Sequence, residues 1–236
     1  MSANHDPLTA IFERLDEWRH FPTYQFERRI DIFFAIYLPE VIEAETECAL
    51  SSIVIPEFPV LKGLIWKSVD AKLSVKVDYC LFAEDMSRVF FVELKTDRSS
   101  RRAEQDHYLA TARTIGFRAI VEGVLEIAEA SKHRLKYWRL ISKLLQLGFL
   151  SSRSVLSEEG PKSNREVGTR LRQLEVTDLD PTVEVLYVEQ VPDPAPGVRS
   201  IGFGRFADVV ERYDDRVSSI FAQHLRQWHR AAGSND

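Results

Sequence analysis

Several protein classes are excluded by what this chain has too little of. Only two of its 236 residues are cysteines, Cys48 and Cys80. Two thiols so far apart make neither a zinc-ligand pattern nor a disulfide scaffold, and they are expected as reduced core residues. Long apolar runs are missing, as is a charged-then-apolar N-terminal segment. The expectation is a cytoplasmic protein with no membrane partner. Excess positive charge is missing too, since 31 Lys and Arg stand against 36 Asp and Glu for a net charge of -5. Binding of nucleic acid through global charge is thereby excluded, while a local basic stripe is not. No internal repeat is present.

What is present is core material. With 44% hydrophobic residues over this length, the chain can bury a sizeable core, and a single domain over residues 1–236 is expected. Residues 74–108 carry the most information. They read SVKVDYCLF, the polar break AEDMSR, then VFFVELKTD and RSSRRAEQDHY. Both apolar pieces are rich in Val, Phe and Tyr, so a β-hairpin with its turn at 84–87 is predicted. A turn centred between Asp85 and Met86 pairs Phe82 with Val89 and sets Asp78 opposite Glu93. Opposed residues have Cβ atoms roughly 4.5–5.5 Å apart, where two bare carboxylates repel. A positive partner is required. Lys95 shares the strand face of Glu93, and a divalent cation held by oxygen ligands is the alternative. A buried structural ion pair, Glu93 with Lys95 or Lys76, accounts for the same residues equally well.

Asp78, then Glu93-Leu94-Lys95 on the next strand, then Gln105-Asp106-His107-Tyr108 on a following helix resembles the PD-(D/E)xK nuclease superfamily. The Gln-x-x-Tyr piece is similar to the branch containing helicase-associated exonucleases. Val77 departs from the pattern, which has Pro there. A lone Glu-x-Lys has almost no value, and the ordered set carries the resemblance. Its sharp part spans 77–108 and its plausible extent is 25–125. The resemblance implies that Asp78, Glu93 and the Leu94 carbonyl hold Mg²⁺, with Mn²⁺ as substitute. It implies that Lys95 orients a water and that Gln105 and Tyr108 position a DNA strand, RNA being possible. A helix before the first strand often supplies another acid in that family, and Glu27 is the preferred candidate. Glu27 also fits an ordinary solvated face.

The rest of the chain supplies the frame. Residues 1–22 form an expected helical arm. Residues 25–47 show helical spacing of apolar side chains, with a kink or split expected at Pro39. Residues 51–61 read as a first strand stopped by prolines. Glu57 at its end either leans toward Asp78 or is exposed. Ser99 or Ser100 is expected to cap the helix carrying Gln105 and Tyr108. Residues 130–150 form a basic amphipathic helix in which Lys132, Arg134, Lys136, Arg139 and Lys143 are interleaved with Tyr137 and Trp138. Such a helix tracks a nucleic-acid backbone or presents a solvated face. Residues 151–180 read as a surface insertion or flexible loop. Residues 182–191 read as a late strand, 201–206 as a short edge strand, and 208–230 as a closing helix.

The expected fold is α/β with a restriction-endonuclease-like core. A helix precedes a three-stranded, antiparallel-containing sheet, followed by a crossover helix, a further strand and extra helices. The expected activity is metal-dependent hydrolysis of DNA phosphodiesters. A nuclease-fold protein that binds nucleic acid or a partner without cutting is the alternative, and an unrelated α/β interaction protein is a third.

Overall fold

Burial follows the apolar pattern of the strands closely. The computed structural model describes residues 6–66, 73–97, 102–154, 159–192 and 199–233. The first half comprises α1 (Pro7–Trp18), α2 (Glu27–Thr46), β1 (Leu50–Leu61), α3 (Lys62–Ile65), β2 (Ser74–Ala83), β3 (Arg88–Lys95), α4 (Ala103–Ile115) and α5 (Phe117–Ala130). The second comprises α6 (Arg134–Gln146), β4 (Leu150–Ser152), α7 (Asn164–Leu171), β5 (Leu174–Val176), β6 (Thr182–Glu189), β7 (Arg199–Gly202), α8 (Phe203–Val210) and α9 (Arg216–Gly233).

Five strands form a mixed sheet in the order β1-β2-β3-β6-β7, and β4 and β5 form a separate antiparallel pair. A four-residue turn joins β2 to β3, a length that permits only an antiparallel pairing. In that turn the Met86 N–H donates to the Ala83 carbonyl at 3.0 Å, and Met86 itself takes a left-handed φ of 56°. Ser87 donates from its N–H and hydroxyl to Asp85, and these bonds hold the Asp85 carboxyl below its ordinary value. Thr182 N–H donates to the Ser87 carbonyl at 3.0 Å and Arg88 pairs with Glu184 at 3.4 Å. β6 therefore begins beside the start of β3 and runs parallel to it, as a crossover connection requires. β7 in turn pairs parallel with β6 from Leu186↔Arg199 to Glu189↔Gly202.

Several expectations are corrected. Pro39 neither splits nor ends α2, which runs unbroken through it. A missing N–H costs a helix about 3 kcal/mol, and here Leu38, Val41 and Ile42 are buried around it and offset that loss. Pro56 and Pro59 do not stop β1 either. β1 is an edge strand, where a residue without an N–H is tolerated. Residues 151–180 are not merely a loop, because they include β4, α7 and β5 with Val167, Leu171 and Leu174 buried. Ser163 caps α7 by accepting from the Glu166 N–H at 3.2 Å, a Ser-x-x-Glu signature that the surrounding polarity obscured. The closing segment is two helices, α8 and α9, and the expected edge strand ends at Gly202. Asp215 accepts from the Ser218 N–H at 3.0 Å and so begins α9. Ser99, Ser100 and Arg101 lie outside the described residues.

The chain divides into two compact units, one of residues 1–52, 92–103 and 186–236, the other of 53–91 and 104–185. The first is built on aromatic contacts. Phe34 meets Phe203, Phe206 and Phe221, and Phe26 meets Trp228 edge-on with ring centroids 5.1 Å apart. The second centres on Phe117, packed on Phe58, Phe82, Phe91 and Phe149. Both cysteines are buried and unpaired, as expected, and burial raises the Cys80 thiol well above its ordinary range.

In the first unit, α1 is tied to α9 through Asp16, which accepts from Trp228 Nε1 and lies 2.8 Å from His224 Nδ1. Burial pushes the Asp16 carboxyl up, but His224 and Trp228 together outweigh it and hold the group below its ordinary 3.8. A depressed folded value means that its contribution is complete above the ordinary value and is lost as pH falls through the folded one. Asp16→Asn should destabilise the protein by about 1–3 kcal/mol at pH 7, with the gap narrowing below about pH 4. Urea melts of both proteins at pH 7 and pH 3 check this, and an unchanging gap would contradict it.

Candidate active site

β3 reads RVFFVELK, and from Val89 to Lys95 every side chain is buried. Glu93 has no exposed surface at all, and Lys95 is only 5% exposed. A carboxylate in such a strand is costly without a positive partner. Lys95 Nζ lies 3.2 Å from Glu93 Oε2, the two sharing a strand face as their spacing predicts. Of the two lysines expected as partners, Lys95 is thus the one paired with Glu93. Leu94 between them is buried on the opposite face.

Past Lys95 the chain reaches Thr96 and Asp97, which line a polar pocket of about 340 Å³ with Glu27, Arg28 and Arg19. Glu27 opens α2 and is half-buried, so this expected acid faces a pocket rather than open solvent. On β6, Glu189 and the adjoining Gln190 are buried. Ser200 of β7 donates to Glu189, and the Gln190 carbonyl lies 2.6 Å from His229 Nδ1. Neither residue was singled out in the sequence. In TVEVLYVEQV, Glu184 and Glu189 are five apart and so face opposite sides of the strand, Glu189 on the side of Val183, Val185 and Tyr187. The run of apolar residues up to Val188 was the available signal that the strand end is enclosed.

In the second unit, Asp78 lies on β2 and is half-buried, between Val77 and Tyr79, which are buried. Gln105 and Tyr108 share a face of α4, as expected. Gln105 Nε2 donates to Tyr108 Oη at 3.3 Å, and Tyr108 Oη donates to the Lys76 carbonyl at 3.1 Å. These bonds fasten α4 to β2 two residues ahead of Asp78. The Tyr108 ring is 7% exposed, so it offers no open face for stacking a base. Glu57 lies within β1 rather than at its end, is exposed with a left-handed φ of 51°, and pairs with Lys76 at 2.9 Å. With both partners about half exposed, such a pair is worth about 0–1 kcal/mol. Of the two readings of Glu57, the exposed one describes its position.

Among the described residues, no cluster of three or more His, Cys, Asp or Glu side chains could hold a metal ion. The expected donors are instead two carboxylates and a main-chain carbonyl. Three hard oxygens of this kind suit magnesium, which keeps several of its waters. Compared with protein-family models, curated proteins and solved structures, the chain matches none.

The expected basic helix is α6 over Arg134–Gln146 with Lys132 in the turn before it, and the charges of this segment divide into two groups. Arg134 donates from Nε and Nη2 to the Glu129 carbonyl at 2.9 and 2.6 Å, satisfying the end of α5. Trp138 is half-buried under the Arg170 guanidinium, 5.4 Å from its ring centroid. Lys132, Lys136, Arg139 and Lys143 are exposed. Only this second group is available to a polyanion. Replacing Lys132, Lys136 and Arg139 with Gln should weaken DNA binding and reduce its log–log salt slope by about 0.9 per lost phosphate contact. Unchanged affinity and slope in a fluorescence-anisotropy titration would return α6 to a solvated face.

Proposed function

We propose that the protein is a magnesium-dependent nuclease that hydrolyses DNA phosphodiesters, with a restriction-endonuclease-like core. The observation carrying this reading is the Glu93–Lys95 pair, fully enclosed at the end of β3 and followed directly by the polar pocket at Thr96 and Asp97. Ionisable groups placed in an enclosed strand next to a cleft mark functional sites more often than chance. The ordered set of Asp78, Glu93, Leu94, Lys95, Gln105 and Tyr108 adds the family resemblance.

Asp78, Glu93 and the Leu94 carbonyl are the oxygen donors in this reading. Bound magnesium supplies a water of lowered pKa and neutralises charge on the phosphate. Lys95 orients the attacking water and stabilises negative charge developing on the phosphate oxygens. Its pairing with Glu93 holds the ammonium in one position, so little reorganisation accompanies the reaction. Gln105 and Tyr108 act as positioning residues, through the hydroxyl bond to the Lys76 carbonyl on Asp78's strand. Glu27 contributes from the pocket beside Thr96.

A catalytically silent protein with the same core is the second reading, favoured by the closeness of Lys95 to Glu93 at 3.2 Å, which already neutralises the acid. Lys95→Met separates the two. For the nuclease, cleavage should fall by about 10²–10³ while the urea midpoint in saturating Mg²⁺ barely moves, the cation standing in for the lost ammonium. For a purely structural pair, the stranded carboxylate should cost roughly 3–5 kcal/mol. Thermal stability gives a second check. Mg²⁺ at a hundredfold excess over Kd should add about 2.7 kcal/mol to the wild type and little to Asp78→Asn. Absence of cleavage by the wild type in Mg²⁺ or Mn²⁺, together with a large midpoint loss in Lys95→Met, would sink the nuclease reading.

A further inference from the structure

Exposed apolar side chains are unevenly spread over the surface. Of nine large ones exposed among the described residues, five (Ile11, Trp18, Phe21, Ile32 and Ile36) lie on α1, α2 and the turn between them. The other four stand singly on separate parts of the chain, which is ordinary for a protein surface. A contiguous group marks an interaction site more often than a solvated face. At its centre is a groove of about 560 Å³ lined along α1 from Pro7 to Trp18 and completed by Tyr24 and Arg29. Tyr24 lies edge-on to Trp18, with ring centroids 6.0 Å apart. On α2, Ile32 and Ile36 follow Arg29 by three and seven residues, so they share its helix face and extend the apolar strip.

The charges lining the groove are of one sign. Arg14 and Arg29 are there, and no acid is. Arg29 is exposed and makes no ion pair among the described residues. Arg14 pairs with Glu17 at 3.2 Å, both side chains being exposed. Such a pair contributes little, and a better-placed carboxylate displaces it. Arg, Trp and Tyr are also the residue types that carry most binding energy at protein interfaces. The twelve residues of α1 rise about 1.5 Å each, so the groove runs roughly 18 Å, the length of about three helical turns. Ile11 and Trp18 stay 48% and 40% exposed along it, so it is open to the side of a helix rather than closed around a small molecule. Residues 1–5 read MSANH, and Met1 alone is no row of anchors. A second copy in an isologous pairing brings the same two arginines to the same face, like charge toward like.

We propose that the groove between α1 and α2 docks an acidic amphipathic helix of a partner protein. Apolar side chains at i, i+4 and i+7 of that helix pack against Ile11 and Trp18, and carboxylates flanking them meet Arg14 and Arg29. The surface is independent of the nuclease reading, since none of the proposed catalytic residues lines the groove.

The test is fluorescence anisotropy on the intact protein with two labelled helical peptides of about four turns. Both carry Leu at i, i+4, i+7 and i+11, flanked by Glu in one peptide and by Lys in the other. The Glu peptide should bind about tenfold or more tightly than the Lys peptide at low salt, with the gap narrowing as salt is added. Combining Arg14→Glu with Arg29→Glu should invert the preference, and Ile11→Ser should weaken both peptides. All three positions are exposed, so urea melts should show these variants folded like the wild type. Equal affinity for the two peptides overturns the proposal, as does a preference unchanged by the double reversal. Light scattering on the peptide-free protein and sedimentation with phosphatidylglycerol vesicles cover the other occupants. A dimer that Ile11→Ser dissociates assigns the face to a second copy and overturns the docked helix. Vesicle binding lost on charge reversal, without a peptide preference, assigns it to a lipid surface and does the same.

Discussion

Burying a carboxylate within an apolar strand is the constraint on which the rest of β3 depends. Glu93 is completely enclosed, and a lone charge there would cost several kcal/mol even after local relaxation. Lys95 meets it at 3.2 Å because two residues along a strand restore the same face. Such a pair is weak evidence of stability, since an apolar replacement of similar volume is often as stable. Its persistence in a strand otherwise made of Val, Phe and Leu therefore calls for a reason other than folding. The very next residue, Thr96, lines the polar pocket at the start of α2.

The hairpin was legible because its signals are local. Polar residues at 84–87 between two Val- and Phe-rich runs specify a turn, and Asp85 closes it through bonds two residues away. The shared face of Glu93 and Lys95, and that of Gln105 and Tyr108, follow from the periods of strand and helix. Less legible was anything that depends on a neighbour distant in sequence. Pro56 and Pro59 read as stops because their tolerance rests on β1 lying at the sheet edge, which periodicity does not disclose. Glu184 and Glu189 lie in one strand but, five residues apart, on its opposite faces. Glu184 meets Arg88 while half-buried, and Glu189 is enclosed with Ser200 of β7. Alternation separates the two faces, and the sheet order decides what each meets.

The C-terminal segment shows the same limit in another form. Residues 208–230 carry apolar side chains at helical spacing throughout, so one helix accounts for the pattern. The break between α8 and α9 comes from Asp215, whose side chain serves the amide and hydroxyl of Ser218 and so starts a new helix. A capping residue inside a periodic pattern competes with the helix it interrupts, and the outcome depends on what the two helices then pack against. Here Ser218 is also fixed from the other side, its hydroxyl 2.8 Å from Tyr37 Oη on α2.

Basic residues and aromatics interleaved on one helix do not specify a nucleic-acid surface by themselves. On α6 the pattern was correct as a pattern, yet Arg134 is committed to the Glu129 carbonyl and Trp138 lies beneath Arg170. What is left on the surface is a row of lysines and Arg139, with Tyr137 half-buried among them. Lysine binds phosphate as a point charge and carries no sequence information. Tyr108 points the same way, since its buried ring and its bond to the Lys76 carbonyl make it a strut of the fold. Under the nuclease reading, such groups would grip a DNA strand along its backbone and not by its bases.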